Sequence, residues 1–321
     1  MKQEYKDKKI LVTGAGGFIG SHLTDRLLSM GAVVVGVDNF ITGSEENLVE
    51  ANKNDNFSFI EANVSEPVET YLKDKDFDYI FHFASPASPV GYMHNPVETY
   101  RVNSFGTHYL ISFANEIGAR FMIASTSEAY GDPLEHPQKE TYWGNVNPIG
   151  IRACYDESKR FGEMVVSTFA RIYKTDIRIV RIFNTYGPRM SVEDGRVVPN
   201  FILQAIEGKP ITVHGDGQQT RSFCYVDDLV EYIVRSMITD EARGEVINIG
   251  SPGEITMLDY AKKIKELAKS NSEIVFVGRP EDDPNRRNPD ITKARKILGY
   301  EPKISVDEGM SKTIEYFKNL N

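Results

Sequence analysis

The sequence predicts a doubly wound α/β chain, a parallel sheet with helices on both faces, followed by a smaller lobe. Three observations lead there. Short β-branched runs at 10–12, 33–37, 57–60, 79–83, 121–124 and 177–182 are apolar on both faces, as strands buried between helical layers should be. Longer segments of helical period, at 19–30, 96–117 and 156–172, lie between those runs. The glycines of KILVTGAGGFIG, residues 9–20, fall where the first strand turns into the first helix.

In that first turn Gly14, Gly17 and Gly20 permit a tight bend, let the backbone approach a pyrophosphate, and pack the helix close on the sheet. A purely structural glycine turn is the competing reading. Strand before and helix after favour the Rossmann-type dinucleotide site. Asp38 ends the second strand, 18 residues after Gly20, where a carboxylate accepts ribose hydroxyls and repels a 2′-phosphate. NAD is therefore expected over NADP.

After Asn184 the rhythm breaks into a Gly- and Pro-bearing stretch, a helix near 201–206, and HGDGQQTRSF at 214–223. Amphipathic segments at 258–268 and 306–317 close the chain. Residues 1–184 are expected to form the cofactor domain, with a returning strand near 244–250, and residues 185–321 mainly the substrate lobe.

The 321 residues are 40% hydrophobic and 26% charged, ordinary for a globular protein with a large core. Lys+Arg 37 against Asp+Glu 46 gives a net charge of −9 without a basic block, which argues against nucleic acid as partner. Any anionic ligand must be held by locally placed arginines and backbone N–H groups. No apolar run approaches membrane length, and two separated cysteines, Cys154 and Cys224, read as reduced thiols. A cytoplasmic protein without membrane contact is expected.

Tyr155 and Lys159 are one helical turn apart, but the same Tyr-x-x-x-Lys spacing recurs at Tyr5/Lys9 and Tyr71/Lys75, so the pattern means little by itself. Context separates them. Only Tyr155/Lys159 sits in a predicted helix that follows a buried strand whose end carries Ser125, Thr126, Ser127 and Glu128, and carboxyl ends of strands form the ligand crevice of such sheets. A tyrosine there, its pKa lowered by the neighbouring ammonium and a nicotinamide, can take a hydroxyl proton while hydride leaves. The competing readings are an exposed helix face for this pair and a solvated cap for Glu128.

TGAGGFIGSH, Asp38, the 126–128 strand end and Tyr155/Lys159 together resemble the extended short-chain dehydrogenase/reductase family of NAD-dependent nucleotide-sugar enzymes. Within it, SPASP (85–89), YMHNPVET (92–99), ASTSEAYGDP (124–133), HPQ (136–138), NPIGIRACYDESKR (147–160), RIFNTYGPRM (181–190), DGRVVPNFI (194–202) and RRNPDITKA (286–294) are similar to UDP-glucuronate decarboxylases. The likeness runs from about residue 8 to 317.

The resemblance implies NAD-dependent decarboxylation of UDP-glucuronate to UDP-xylose through a 4-keto intermediate. It implies Thr126 as catalytic hydroxyl, Tyr155 as base with Lys159, Ser127 and Glu128 as the decarboxylase pair, and Arg287 near the sugar carboxylate and phosphates. For NAD it implies Gly14, Gly17, Phe18, Ile19, Gly20, Asp38, Asn39, Asn63, Val64 and Ala84, with Tyr155 and Lys159. For the UDP-sugar it implies Ser85, Pro86, Tyr92, Asn184, Arg189, Val198, Thr212, His214, Arg221 and Arg287. No metal is implied, and the long helices resemble the family's homodimer bundle.

Four positions depart from the pattern: Ser158 for glycine, Asn63 for aspartate, Asn145 for histidine and His214 for tyrosine. None removes a catalytic group. A UDP-uronate 4-epimerase, a 4,6-dehydratase, a decarboxylase of an N-acetylated uronate and one that releases the 4-keto-pentose stay open. A non-catalytic NAD-sensing regulator is the alternative from another class; retention of both Tyr155 and Lys159 argues against it.

Overall fold

The computed structural model describes residues 1–278 and 286–320. From the N-terminus run α1 (Lys2–Tyr5), β1 (Lys9–Thr13), α2 (Phe18–Ser29), β2 (Val33–Asp38), β3 (Phe57–Glu61) and β4 (Tyr79–His82). Then come α3 (Pro89–His94), α4 (Pro96–Arg101), a π turn (Val102–Gly106), α5 (Thr107–Ile117), β5 (Arg120–Thr126), α6 (Ala153–Tyr173) and β6 (Ile177–Ile182). The rest of the chain holds β7 (Thr185–Tyr186), α7 (Val197–Ile206), β8 (Ile211–His214), β9 (Thr220–Ser222), β10 (Cys224–Tyr225), α8 (Val226–Ile238) and β11 (Val246–Ile249). It ends with β12 (Glu254–Thr256), α9 (Met257–Ala268), β13 (Ile274–Val277), β14 (Arg286–Arg287), α10 (Thr292–Leu298) and α11 (Val306–Asn319).

Seven strands form one sheet in the order β11-β6-β5-β4-β1-β2-β3, every neighbouring pair parallel. The strands were expected to be apolar on both faces, and β1 shows why. Ile10 and Val12 pack with Leu23, Leu27 and Val230 on one side, whereas Leu11 packs with Ile80, Leu110 and Ile111 on the other. Parallel order sends every strand's carboxyl end to the same edge, so Thr13, Asp38, His82 and Thr126 all arrive at one crevice.

Beyond β6 the chain adds small sheets: β10 with β7, β13 with β8, and β12-β9-β14. In the last of these Arg287 pairs in register with Arg221, which puts two arginines side by side. The edge strand β11 returns to the central sheet beside β6.

The helix expected over 96–117 is interrupted. Between α4 and α5 the backbone takes a π turn, held close to the sheet at Gly106, where a Cβ would lie 3.0 Å from the Val64 carbonyl oxygen. Among the elements that periodicity does not show are α3 and α8. Helix α3 is only six residues long, and α8 begins directly after β10 with no intervening turn residue.

Candidate active site

The glycine turn is built for a ligand's backbone approach. Gly14 takes φ +77, and a Cβ there would meet the Ala84 nitrogen at 2.6 Å; a Cβ on Gly20 would meet the Gly14 oxygen at 1.9 Å. Gly17 caps α2 without a side-chain bond and no acidic residue stands in the first turn. The N–H groups of Phe18, Ile19 and Gly20 thus open onto the crevice as an anion site.

An open cleft lies beside that turn, lined by Gly14, Gly17, Asp38, Asn39, Asn63, Val64, Ala84, Ser85 and Pro86 among others. Asp38 accepts the N–H of Gly16 at 2.9 Å and of Phe40 at 2.9 Å, which fixes its carboxylate at the cavity wall. Burial pushes its pKa up, and these N–H bonds oppose the rise. An elongated cleft with a bare helix N-terminus at one side and a fixed carboxylate at the other fits NAD.

Helix α6 carries Tyr155 and Lys159 on its buried face, 6% and 4% exposed. Tyr5/Lys9, by contrast, straddles the end of α1 and the start of β1. Tyr155 lies next to the Thr126 hydroxyl and stacks on Tyr92, ring centroids 5.0 Å apart and 10° from parallel. The lowering expected of the ammonium and a nicotinamide together has to work against the phenol's burial. Burial pushes the phenol up to about 12, and the nearby carboxylates Glu128 and Asp156 add to that. Lys159 supplies little correction because its Nζ donates to the Ala124 carbonyl at 2.9 Å and burial lowers its pKa to about 7. Its ammonium lies 5.8 Å from the Tyr155 ring centroid.

Beside this pair stands Glu128, which follows β5. Its carboxylate accepts from both terminal nitrogens of Arg287, with Nη2–Oε2 at 2.8 Å, and forms an ion pair with Arg152 at 2.7 Å. Burial would raise the Glu128 pKa, but Arg287 and Arg152 outweigh it and hold the carboxyl below the usual range. Glu128 is therefore an ionised acceptor that orients two guanidiniums. Ser127 is buried next to it in a short turn capped by Thr126.

The other expected residues divide. Ser85, Pro86 and Tyr92 adjoin the cavity and the Tyr155 ring, and Arg221 lies beside Arg287. Asn184 follows β6, its carbonyl accepting from Cys224 at 2.9 Å. Val198 is buried in α7, Thr212 is bonded to Gln204 at 2.9 Å, and exposed His214 meets the Gly278 carbonyl at 2.9 Å. Arg189 is not brought to this group: its guanidinium pairs with Asp25 of α2 at 2.7 Å.

Sequence reasoning passed over three residues. Arg152 lies within the 147–160 motif, three residues before Tyr155 at the entry to α6, and only the fold brings it onto Glu128. Asp156, next in line, is raised to about 7 by burial and by Glu128, and its Oδ1 is buried without a hydrogen-bond partner. Arg196 is gripped by the buried carboxylate of Asp194, with Nη2–Oδ2 at 2.6 Å. Among the described residues no group of three or more His, Cys, Asp or Glu is placed to hold a metal ion.

The family model described as GDP-mannose 4,6 dehydratase matches residues 11–313. UDP-glucuronic acid decarboxylase 2 of Arabidopsis thaliana is 50% identical over 316 residues, 98% of this chain and 69% of that protein. Among solved structures, the epimerase Mth375 of Methanothermobacter thermautotrophicus superposes with TM-score 0.91 at 30% identity, covering 99% of this chain and 94% of the other. The UDP-glucuronic acid 4-epimerase of Bacillus cereus, in complex with UDP-glucuronic acid and NAD, superposes with TM-score 0.86 at 30% identity, covering 98% and 100%.

Proposed function

Because this chain belongs to the GDP-mannose 4,6-dehydratase family of short-chain dehydrogenases/reductases, we propose that it is an NAD-dependent UDP-glucuronate decarboxylase that forms UDP-xylose. The observation that carries the substrate is the 50% identity to a UDP-glucuronic acid decarboxylase over 98% of the chain. The reading fits a site where a buried tyrosine adjoins an ionised glutamate bound to two arginines.

The glycine turn and Asp38 would hold NAD, which when bound would supply a reversible hydride acceptor for C4. We assign the remaining work to the chain's own side chains. Tyr155 takes the C4 hydroxyl proton, a step opposed by its high pKa in the protein and eased by the positive charge that the cofactor brings near. Lys159, held on the Ala124 carbonyl, would help to hold the cofactor beside Tyr155. Once C4 is a ketone, the C6 carboxylate belongs to a β-keto acid, and loss of carbon dioxide leaves an enolate on O4. The hydroxyls of Tyr155 and Thr126 stand together to donate to that oxygen. Glu128 orients Arg287 toward the departing carboxylate, and Ser127 shares that end of β5.

In this assignment residues 1–184 and the strand β11 carry NAD, while residues 185–321 mainly hold UDP through Val198, Thr212, His214 and Arg221, with Asn184 at the border between the two. We also infer a cytoplasmic homodimer. Val97, Tyr100, Phe105, Phe161 and Met164 are between 44% and 50% exposed on α4, the π turn and α6, an apolar face suited to a second copy, and both cysteines are free thiols. Sedimentation velocity reads that directly, a monomer arguing against it.

Product analysis by NMR over a panel of UDP-uronates tests the function. UDP-xylose from UDP-glucuronate is expected. UDP-galacturonate with its carboxylate intact would replace the decarboxylase with an epimerase.

A further inference from the structure

The residue directly before Lys159 carries a hydroxyl with three close partners. Ser158 Oγ lies 2.5 Å from the Cys154 carbonyl and 3.0 Å from that of Tyr155, so its one proton goes to the turn that bears the catalytic tyrosine. That orientation leaves the oxygen to accept, and Asn103 Nδ2 donates to it at 3.1 Å. Both residues are buried, Ser158 at 6% and Asn103 at 1% exposure.

Asn103 belongs to the π turn, where the ordinary helical ladder is broken and each residue needs another reason to stay in place. Its carbonyl accepts from the Thr107 hydroxyl at 2.8 Å, and its amide reaches across to α6. The two helices can approach this closely because a Cβ on Gly162 would already meet the Asn103 oxygen at 3.1 Å. The other side of the same turn belongs to the cofactor cleft: Val102 lines the cavity, and Gly106 rests on the backbone of Val64, which also lines it. One buried hydrogen bond thus joins the wall of the NAD cleft to the helix turn between Tyr155 and Lys159.

We propose that Ser158 is a positioning residue, whose hydroxyl, held by Asn103, fixes the Tyr155–Lys159 turn of α6 against the π turn that walls the cofactor cleft. The proposal rests on the decarboxylase reading for its kinetic consequence but not for its consequence in NAD binding. The hydroxyl touches neither substrate nor cofactor. Its loss leaves a buried amide donor unpaired and frees the turn that carries Lys159.

The test compares the S158A, S158T, N103A and S158A/N103A proteins by calorimetric titration with NAD and by steady-state decarboxylation. S158A is expected to weaken NAD binding and to lower kcat, each about three- to tenfold, the range that one net buried hydrogen bond supplies. The KM for UDP-glucuronate should stay within about twofold, since the bond lies away from the UDP lobe. S158T, which keeps the hydroxyl, should recover both quantities, and the double variant should be no worse than either single one. Unchanged NAD affinity and kcat in S158A, additive losses, or a failure of S158T to recover would overturn the proposal. If the unaltered protein binds NAD yet releases no carbon dioxide, the decarboxylase reading falls and the NAD titrations still decide the role of Ser158.

Discussion

Glu128 and Arg287, 159 residues apart in sequence, meet as a two-point carboxylate–guanidinium pair at the mouth of the parallel sheet. Arg287 is 5% exposed, so the pair is made largely out of water, where charged hydrogen bonds are strong and leaving one partner unmatched is costly. It ties a strand of the second lobe to the end of β5. Substitution of Glu128 by glutamine keeps the shape and removes the charge that orients Arg287. Carbon dioxide release is expected to slow about 10- to 10²-fold, the scale of a lost charged hydrogen bond, while hydride exchange at C4 slows less. Equal slowing of both half-reactions, measured in single turnovers, would place Glu128 in the oxidation step instead.

In this account Tyr155 moves the C4 hydroxyl proton. The Tyr155→Phe protein should lose about 10²–10⁴ in rate with its fold intact by circular dichroism. Lys159→Met should be comparably impaired. Full activity in Tyr155→Phe would mean that another group removes the C4 proton.

Asp38 is expected to set cofactor choice. Its carboxylate also holds the N–H of Gly16, so Asp38→Ala loosens the glycine turn as well as removing the charge. The informative number is accordingly the ratio of NAD to NADP affinity, which should be large in the unaltered protein and smaller in the variant. Equal affinities in the unaltered protein would contradict the assignment.

His82 ends β4 with its Nδ1 2.9 Å from the Thr13 hydroxyl, and burial lowers its pKa to about 3, with the charge of Lys159 adding to the effect. A base whose folded pKa lies below its unfolded value binds fewer protons when folded. Stability is then present above the unfolded value and is lost as pH falls, here from about 6.5 toward about 3, at about 1.4 kcal/mol per unit. Urea midpoints measured across that window should fall less steeply in a His82→Asn protein. Identical slopes would show that His82 is not the group that titrates.

What the sequence made legible was local. The turn at 14–20 and the Tyr155–Lys159 spacing lie within single loops and helix turns, where residue type and position carry the geometry directly. Strands such as β1, β4 and β5 were legible because burial on both faces leaves an apolar run, and the half-exposed edge strand β3 because its run is short and apolar. What escaped depended on contacts across the chain. No spacing rule could place Arg152 on Glu128, or show that Arg189 pairs with Asp25, since each pair is made by elements distant in sequence. The same holds for the Tyr155 phenol. The spacing shows its lysine neighbour, whereas the burial that raises the phenol to about 12 is visible only in three dimensions. The π turn at Val102–Gly106 likewise hid inside a stretch of helical period.

The order of events, oxidation at C4, decarboxylation, protonation at C5 and reduction, is the central claim, and one isotope experiment reads it. The protein is incubated with UDP-glucuronate and NAD in deuterated water and the product is examined by NMR. The account predicts UDP-xylose with deuterium at C5, from protonation of the enolate by a solvent-derived deuteron, and protium at C4, because that hydrogen is returned without exchange with water. A five-carbon product without deuterium at C5, or one with solvent deuterium at C4, would contradict it.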